Sequence, residues 1–327
     1  MTRYRWLLLL ALALAALAVA GCGDDEDGGD GEAAQTTTQE ESPGGIQRSE
    51  ENASTQVTIG SKNFTEQKVL GEIYAQALQA AGYTVKTDLN LGDEKTALKA
   101  LEDGTIDAYP EYSGTALLSF FDVKAEDIPK DPQEAAQQVV DNFTKQGIRA
   151  FEPTPFTSSN EVALTKEKAE ELGVTKISDL SGKAGELTLY GSPECRRRLD
   201  CLLGLQEVYG LEFKKFTPID IAQRHEVLTS GRADVSIVFT TDPQIKREEF
   251  VLLEDDKGMF PPYNSMLLMK QETADKAGGD LEKVISLVQP SLTDEAMQEL
   301  NARVDLDKKD PEQVATEFLE ETNLLEP

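Results

Sequence analysis

Residues 104–115 read GTIDAYPEYSGT, and upstream of them the chain reads IGSKNFTEQ at 59–67. The upstream stretch is a strand that ends in a lysine-bearing turn at a helix start. The downstream stretch is a strand that runs into a tyrosine-rich turn. A helix N-terminus and a lysine attract a carboxylate. Aromatic faces attract a cation that has no hydrogen-bond donors of its own. The pair of stretches therefore predicts a pocket for a small zwitterion.

Outward from these stretches, strand and helix signals alternate along 55–327. TQVTIG reads as a strand and TEQKVLGEIYAQALQAAG as a helix closed by Gly82. YTVKTDLNL is a strand, EKTALKALEDG a helix and TIDAYPEY a strand. The helix QEAAQQVVDNFTKQG and the strands EVALTK and ELTLYG follow. LLGLQEVYG and QRHEVLTSG read as helices, ADVSIVFT as a strand, and the chain after FPPYNSMLLMK as helical to its end. Such alternation predicts α/β layers with a largely parallel sheet, and the length suits two domains. One internal echo points the same way. Leu101-x-x-Gly104-x-x-Asp107 recurs as Leu228-x-x-Gly231-x-x-Asp234, each a helix ending at glycine before a short strand. Two similar halves imply a two-lobed clam with its ligand in the cleft.

The N-terminus addresses the compartment. Arg3 and Arg5 precede an apolar run from Trp6 to Ala20, which is short for a membrane span and ends in VAGC. Basic start, short apolar core and small residues before a cleavage point describe a signal peptide over 1–22. The VAGC ending resembles the lipobox of bacterial lipoproteins, which implies lipidation of Cys22 and a place outside the cytoplasmic membrane. Residues 23–54 carry many acidic residues and little to bury, so they read as a disordered acidic tether. A calcium site in DDEDGGDGE lacks EF-hand spacing. The net charge of −28 at pH 7 excludes nucleic acid as a natural partner and reads as solubility.

Cys195 and Cys201 sit in CRRRLDC. In an oxidising compartment a disulfide is expected if geometry allows. A metal site is not expected, because the single histidine, His225, leaves too few soft ligands. His225 itself reads as an ordinary residue on an amphipathic helix.

Five blocks in one order carry a family resemblance: IGSKNFTEQ, GTIDAYPEYSGT, SPECRRRLDCLLGLQEVYGL, GRADVSIVFTTD and LEDDKGMFPPYN. Over nearly all of 56–327 the chain resembles the substrate-binding proteins of osmoprotectant ABC importers, which take up glycine betaine, choline, carnitine or proline betaine. The resemblance implies a type II periplasmic-binding-protein fold, with one lobe from 56–158 plus 259–327 and the other from 159–258. It implies aromatic rings around a quaternary ammonium and basic groups on a carboxylate. Carried over by position, Lys62 meets the carboxylate, and Tyr112 and Thr115 supply a cage ring and a carboxylate-binding hydroxyl. Arg198, with Arg197 next, reaches the carboxylate bidentately, and Tyr263 supplies another cage ring. Three positions depart from the family pattern. Phe239 stands where relatives carry tyrosine, which keeps the π face and loses the hydroxyl. SSNEVALT offers Glu161 and Val162 where an aromatic is expected, and DIAQRHEVL lacks a tyrosine. Glu161, facing the cleft, would pair with an amine that keeps N–H donors.

Two rival readings remain at this point. An enzyme on a two-lobed scaffold would need a nucleophile with a base, or a metal, and GxSxG, HExxH and Cys–His pairings are absent; Asp255 and Asp256 read as a solvated turn. A sensory lipoprotein would share every feature named. The expected protein is a non-catalytic, monomeric, lipid-anchored solute-binding component that needs no cofactor and docks on an ABC permease, for a quaternary ammonium or, alternatively, an amino acid or other amine.

Overall fold

The computed structural model describes residues 45–325. Cys22 and the signal segment lie outside the described residues. Two five-stranded sheets organise the chain. The first contains β1 (Gln56–Gly60), β2 (Thr84–Asp88), β3 (Ala108–Tyr112) and β4 (Ile148–Ala150). The second contains β5 (Asn160–Leu164), β6 (Thr188–Gly191), β7 (Lys215–Pro218), β8 (Val235–Phe239) and β9 (Val251–Leu253). The chain then returns to the first sheet as β10 (Ser265–Lys270). Crossings between the sheets run through 151–159 and 254–264. Thr157 and Asn264 form an antiparallel bridge where the two crossings pass each other.

The two sheets are wired alike. Their orders are β2-β1-β3-β10-β4 and β7-β6-β8-β5-β9. In each, three strands pair in parallel, the fourth inserts antiparallel, and the edge strand pairs antiparallel with the fourth and so runs with the first three. Four of the five strands in each sheet therefore run one way, in keeping with the expectation of a largely parallel sheet, and a single reversed strand stands fourth in the order. Parallel pairing needs a crossover helix to return the chain. β5 and β10 arrive instead from the crossings between sheets, so nothing obliges them to run parallel. SMLLMK, read as the prelude to a helix, is the buried strand β10.

The Leu-Gly-Asp echo proves to be structural. Leu101 and Leu228 are both buried. Gly104 and Gly231 both close their helices in the left-handed region, at φ 75° and 68°. Asp107 accepts the Thr58 N–H at 2.8 Å, and Asp234 accepts the Thr188 N–H at the same distance. Asp107 thus stitches the start of β3 to β1, and Asp234 the start of β8 to β6.

Local physics explains the elements around the cleft. Helix Thr65–Ala80 buries Val69, Leu70, Ile73, Tyr74, Ala77 and Leu78, a helical stripe facing β1 and the C-terminal helices. Asp93 caps helix Glu94–Asp103, accepting the Thr96 N–H at 2.9 Å. The predicted helix over QRHEVLTSG breaks into a 3₁₀ turn at Ile221–Gln223 and one helical turn at Glu226–Thr229. The break frees Arg224 and His225 to turn toward Asp242.

The expectation of disorder to residue 54 is corrected as well. Residues 45–54 dock on the domain: Ile46 donates its N–H to Leu324 O at 3.0 Å, and the Ser49 N–H reaches Ala81 O at 3.0 Å. Glu50–Ser54 forms a 3₁₀ helix, and buried Asn52 donates to Ala81 O at 2.8 Å. Ile46 packs on the core. Acidic composition concealed these few anchoring residues, which satisfy the end of helix Thr65–Ala80.

Candidate functional site

Side chains from both sheets converge on one cavity of about 60 Å³ between them. At roughly 10–15 Å³ per water-sized group, it suits a compact small molecule. The loop after β1 supplies Lys62 and Phe64, which precedes helix Thr65–Ala80. The end of β3 supplies Tyr112, and helix Ser113–Ser119, which follows it, supplies Thr115. The second sheet supplies Asn160 and Phe239, the connections between its strands supply Arg198 and Arg224, and the return crossing adds Tyr263.

Four rings line the cavity: Phe64, Tyr112, Phe239 and Tyr263. Phe64 lies at 6.3 Å from Tyr112, nearly parallel, and at 5.3 Å from Phe239, tilted by 46°. It therefore links the ring of one sheet to the ring of the other. Sequence reasoning assigned Tyr112, Phe239 and Tyr263 and missed Phe64, although it stands in the quoted GSKNF block. Its ring supplies an aromatic wall independent of positions 158–165.

The cations of the cavity are each held by a buried carboxylate. Arg198 pairs with Asp200, with Nε to Oδ1 at 2.7 Å, and its Nη1 lies 3.5 Å from Glu94. Asp200 is fully buried and also accepts from Tyr263 OH at 2.6 Å and Asn160 Nδ2 at 3.0 Å. Burial pushes the Asp200 carboxyl up, but the Arg198 charge and these hydrogen bonds prevail and hold it below the usual range. Arg224, which sequence reasoning missed, pairs with Asp242 through Nε at 2.8 Å and lies 4.7 Å from the centre of the Phe239 ring. His225, read as an ordinary residue of an amphipathic helix, is buried just before helix Glu226–Thr229, with its Nε2 2.7 Å from Asp242 Oδ2. Against the opposing effect of burial, Arg224 and His225 hold the Asp242 carboxyl far below the usual range. Asp200 stands two residues after Arg198 in the CRRRLDC run, whereas the fold brings Asp242 to Arg224 from 18 residues away.

Tyr112 donates to Glu66 at 2.6 Å, and Glu66 also accepts from Asn301 at 3.0 Å. Burial raises the Glu66 carboxyl despite these bonds and pushes the Tyr112 phenol well up. Lys62, expected to meet a ligand carboxylate, lines the cavity and already has a carboxylate of the protein. Its ammonium is ion-paired with buried Glu111 and lies 4.5 Å from the centre of the Tyr112 ring. Among the three arginines, Arg198 lines the cavity, Arg197 is exposed outside it, and Arg196 lies 4.7 Å from the Phe216 ring. A disulfide joins Cys195 to Cys201 and closes the loop that carries Arg198.

Glu161 is corrected. It does not line the cavity, because its neighbour Asn160 does and successive strand residues face opposite ways. Val162 is buried in the core of the second sheet. The Glu161 carboxyl is pushed up to about 7, first by burial and then by the charge of Asp255. Asp255 is no idle turn residue: it accepts the N–H groups of Met259 at 2.9 Å and Phe260 at 2.7 Å, and the Tyr209 hydroxyl. It shapes the return crossing.

Residues 55–321 match the family model described as the substrate-binding domain of ABC-type glycine betaine transport systems. The chain belongs to this family. It is accordingly the solute-binding component of an ABC importer, acts outside the cytoplasm and is not an enzyme. A glycine-betaine-binding protein of Pseudomonas aeruginosa is 32% identical over 82% of this chain and 88% of its own length. The carnitine transport binding protein OpuCC of Listeria monocytogenes is 28% identical over 83% of this chain and 88% of its own. A crystal structure of a glycine betaine/carnitine/choline ABC transporter protein superposes with a TM-score of 0.66 at 24% identity, covering 82% of this chain and 99% of that one. Lactococcal OpuAC in its closed, liganded form superposes with a TM-score of 0.61 at 14% identity, over 82% of this chain and 96% of that one. These likenesses give the family member the type II periplasmic-binding-protein fold.

Proposed function

We propose that this family member binds a small quaternary ammonium osmolyte between its lobes, with Phe64, Tyr112, Phe239 and Tyr263 around the ammonium. The four rings in one interlobe cavity carry this reading. A methylated ammonium has no N–H to donate, so hydrogen bonds cannot hold it and π faces can, at roughly 0.5–2 kcal/mol each when water is excluded. The lobes are residues 56–158 plus 259–327 and 159–258, and they close on the ligand as a hinge. Thr115 and Arg198 orient whatever polar group the osmolyte carries, and Lys62 acts through Glu111 to position Tyr112. Lipidation at Cys22 would keep the monomeric chain beside its permease.

Calorimetry on the purified full chain with glycine betaine, choline, carnitine, proline betaine and a panel of amino acids tests the reading. Saturable binding of a quaternary ammonium compound, lost in Tyr112→Ala, is expected. Heat from primary amines or amino acids alone would overturn it in favour of an amine that keeps its N–H donors.

A further inference from the structure

Every cation that lines the cavity already has a carboxylate of the protein. Lys62 has Glu111, Arg224 has Asp242, and Arg198 has Asp200. Arg198 has a second one. Its Nη1 faces Glu94 Oε2 at 3.5 Å, and its Nη2 reaches Thr115 Oγ1 at 3.4 Å. Asp200 and Arg198 belong to the second lobe, whereas Glu94 and Thr115 belong to the first. A guanidinium presents its donors as a planar fork with two usable edges. Asp200 holds one edge from within its own lobe, and Glu94 faces the end that would otherwise meet a ligand carboxylate.

Glu94 is only 3% exposed, at the first position of helix Glu94–Asp103. The helix does not use it as a cap, since Asp93 fills that role. A buried carboxylate needs a cationic partner, and Arg198 across the cleft is that partner. The wider charge balance agrees. The lining carries Lys62, Arg198 and Arg224 against Asp93, Glu94 and Glu194, with Glu111, Asp200 and Asp242 behind the cations. A ligand carboxylate entering here adds a negative charge to a shell whose cations are already neutralised. A ligand that is simply cationic meets aromatic faces and surplus negative charge.

Resting on the osmolyte-binding reading, we propose that Glu94 sets the charge class of the ligand. It takes the place of a ligand carboxylate on Arg198, ties the lobes together by an ion pair, and selects a carboxylate-free quaternary ammonium cation over a zwitterion.

Dissociation constants for choline and for glycine betaine, measured by calorimetry on the full chain and on Glu94→Gln and Glu94→Ser, test the proposal. The unaltered protein is expected to favour choline. In both variants the ratio of affinities shifts toward glycine betaine by about fivefold or more, the scale of one partly screened charge. A smaller shift, or one toward choline, overturns the role of Glu94, as does a preference of the unaltered protein for glycine betaine. That last measurement decides even if neither variant folds. Failure of every quaternary ammonium compound to bind any of the three proteins would sink the osmolyte reading itself, and the proposal with it.

Discussion

Asp200 and Asp242 each hold one arginine of the cavity in a fixed fork, and both lie almost wholly out of solvent. Removing one partner of such a buried pair strands the other charge, at a cost of about 3–5 kcal/mol. Asp242→Asn is therefore expected to lower stability by that amount near neutral pH, in denaturant titrations, and to weaken binding by loosening Arg224 beside Phe239. Because the Asp242 carboxyl is depressed in the folded state, its contribution is present above its unfolded pKa of about 3.9 and is lost as pH falls further. The stability difference between Asp242→Asn and the unaltered protein should accordingly shrink in acid. Glu161 has the opposite sign. With its carboxyl raised to about 7 in the fold, the folded state holds the proton better. Stability from this group is complete below its unfolded pKa of about 4.3 and declines as pH rises toward 7. Glu161→Gln should raise the melting temperature at about pH 8 and leave it nearly unchanged at about pH 4.5, with no change in ligand affinity. A melting-temperature difference between Glu161→Gln and the unaltered protein that does not change with pH would show that Glu161 is not so confined. Phe239→Ala removes one wall of the cavity and should weaken ligand binding by about twofold to thirtyfold.

Two short elements matter beyond their length. The Cys195–Cys201 bridge spans a sequence separation of 6 with Arg198 inside the loop. In the chain-entropy picture a loop this short contributes roughly 2 kcal/mol, so Cys195→Ala with Cys201→Ala should lower the melting temperature modestly. Affinity should fall further than stability, because the freed loop no longer presents Arg198 at one angle; equal binding with and without reductant would refute that. Helix Ser113–Ser119 begins hard against the return crossing. A Cβ on Gly114 would come within 2.8 Å of Pro262 O and 2.9 Å of the Tyr263 ring. Gly114→Ala is expected to cost about 1–3 kcal/mol through overpacking and to displace Tyr263, with loss of ligand affinity measured in the same calorimetric titration.

At the scale of the whole molecule, two half-equivalent sheets face a shared cleft, and the chain crosses between them twice. The closure proposed above would bend the chain at 151–159 and 254–264, where Thr157 and Asn264 pair and Asp255 organises the turn. The first lobe also includes residues that look like linker. A chain beginning at residue 56 loses the Asn52 and Ser49 bonds to Ala81 and the Ile46 bond to Leu324. Compared with a chain beginning at residue 45, it should be less stable by about 1–3 kcal/mol in thermal or urea unfolding. Identical unfolding midpoints would place the start of the domain after the 3₁₀ helix.

Periodicity and local turn chemistry were enough to reveal alternating strands and helices, and the Leu-Gly-Asp echo was legible because each of its residues has one local duty: burial, a left-handed turn, a cap on the neighbouring strand. The quoted blocks likewise marked Tyr112, Thr115, Arg198, Phe239 and Tyr263, all of which line the cavity. Other facts depend on distances between segments far apart in the chain, and only the tertiary structure decided them. Strand alternation turned Glu161 out of the cavity and Asn160 into it. The break in the predicted helix brought Arg224 to Asp242, and the lobe-to-lobe approach set Glu94 against Arg198. A charge in the sequence is free until the fold gives it a partner, and burial then decides what that partner must be.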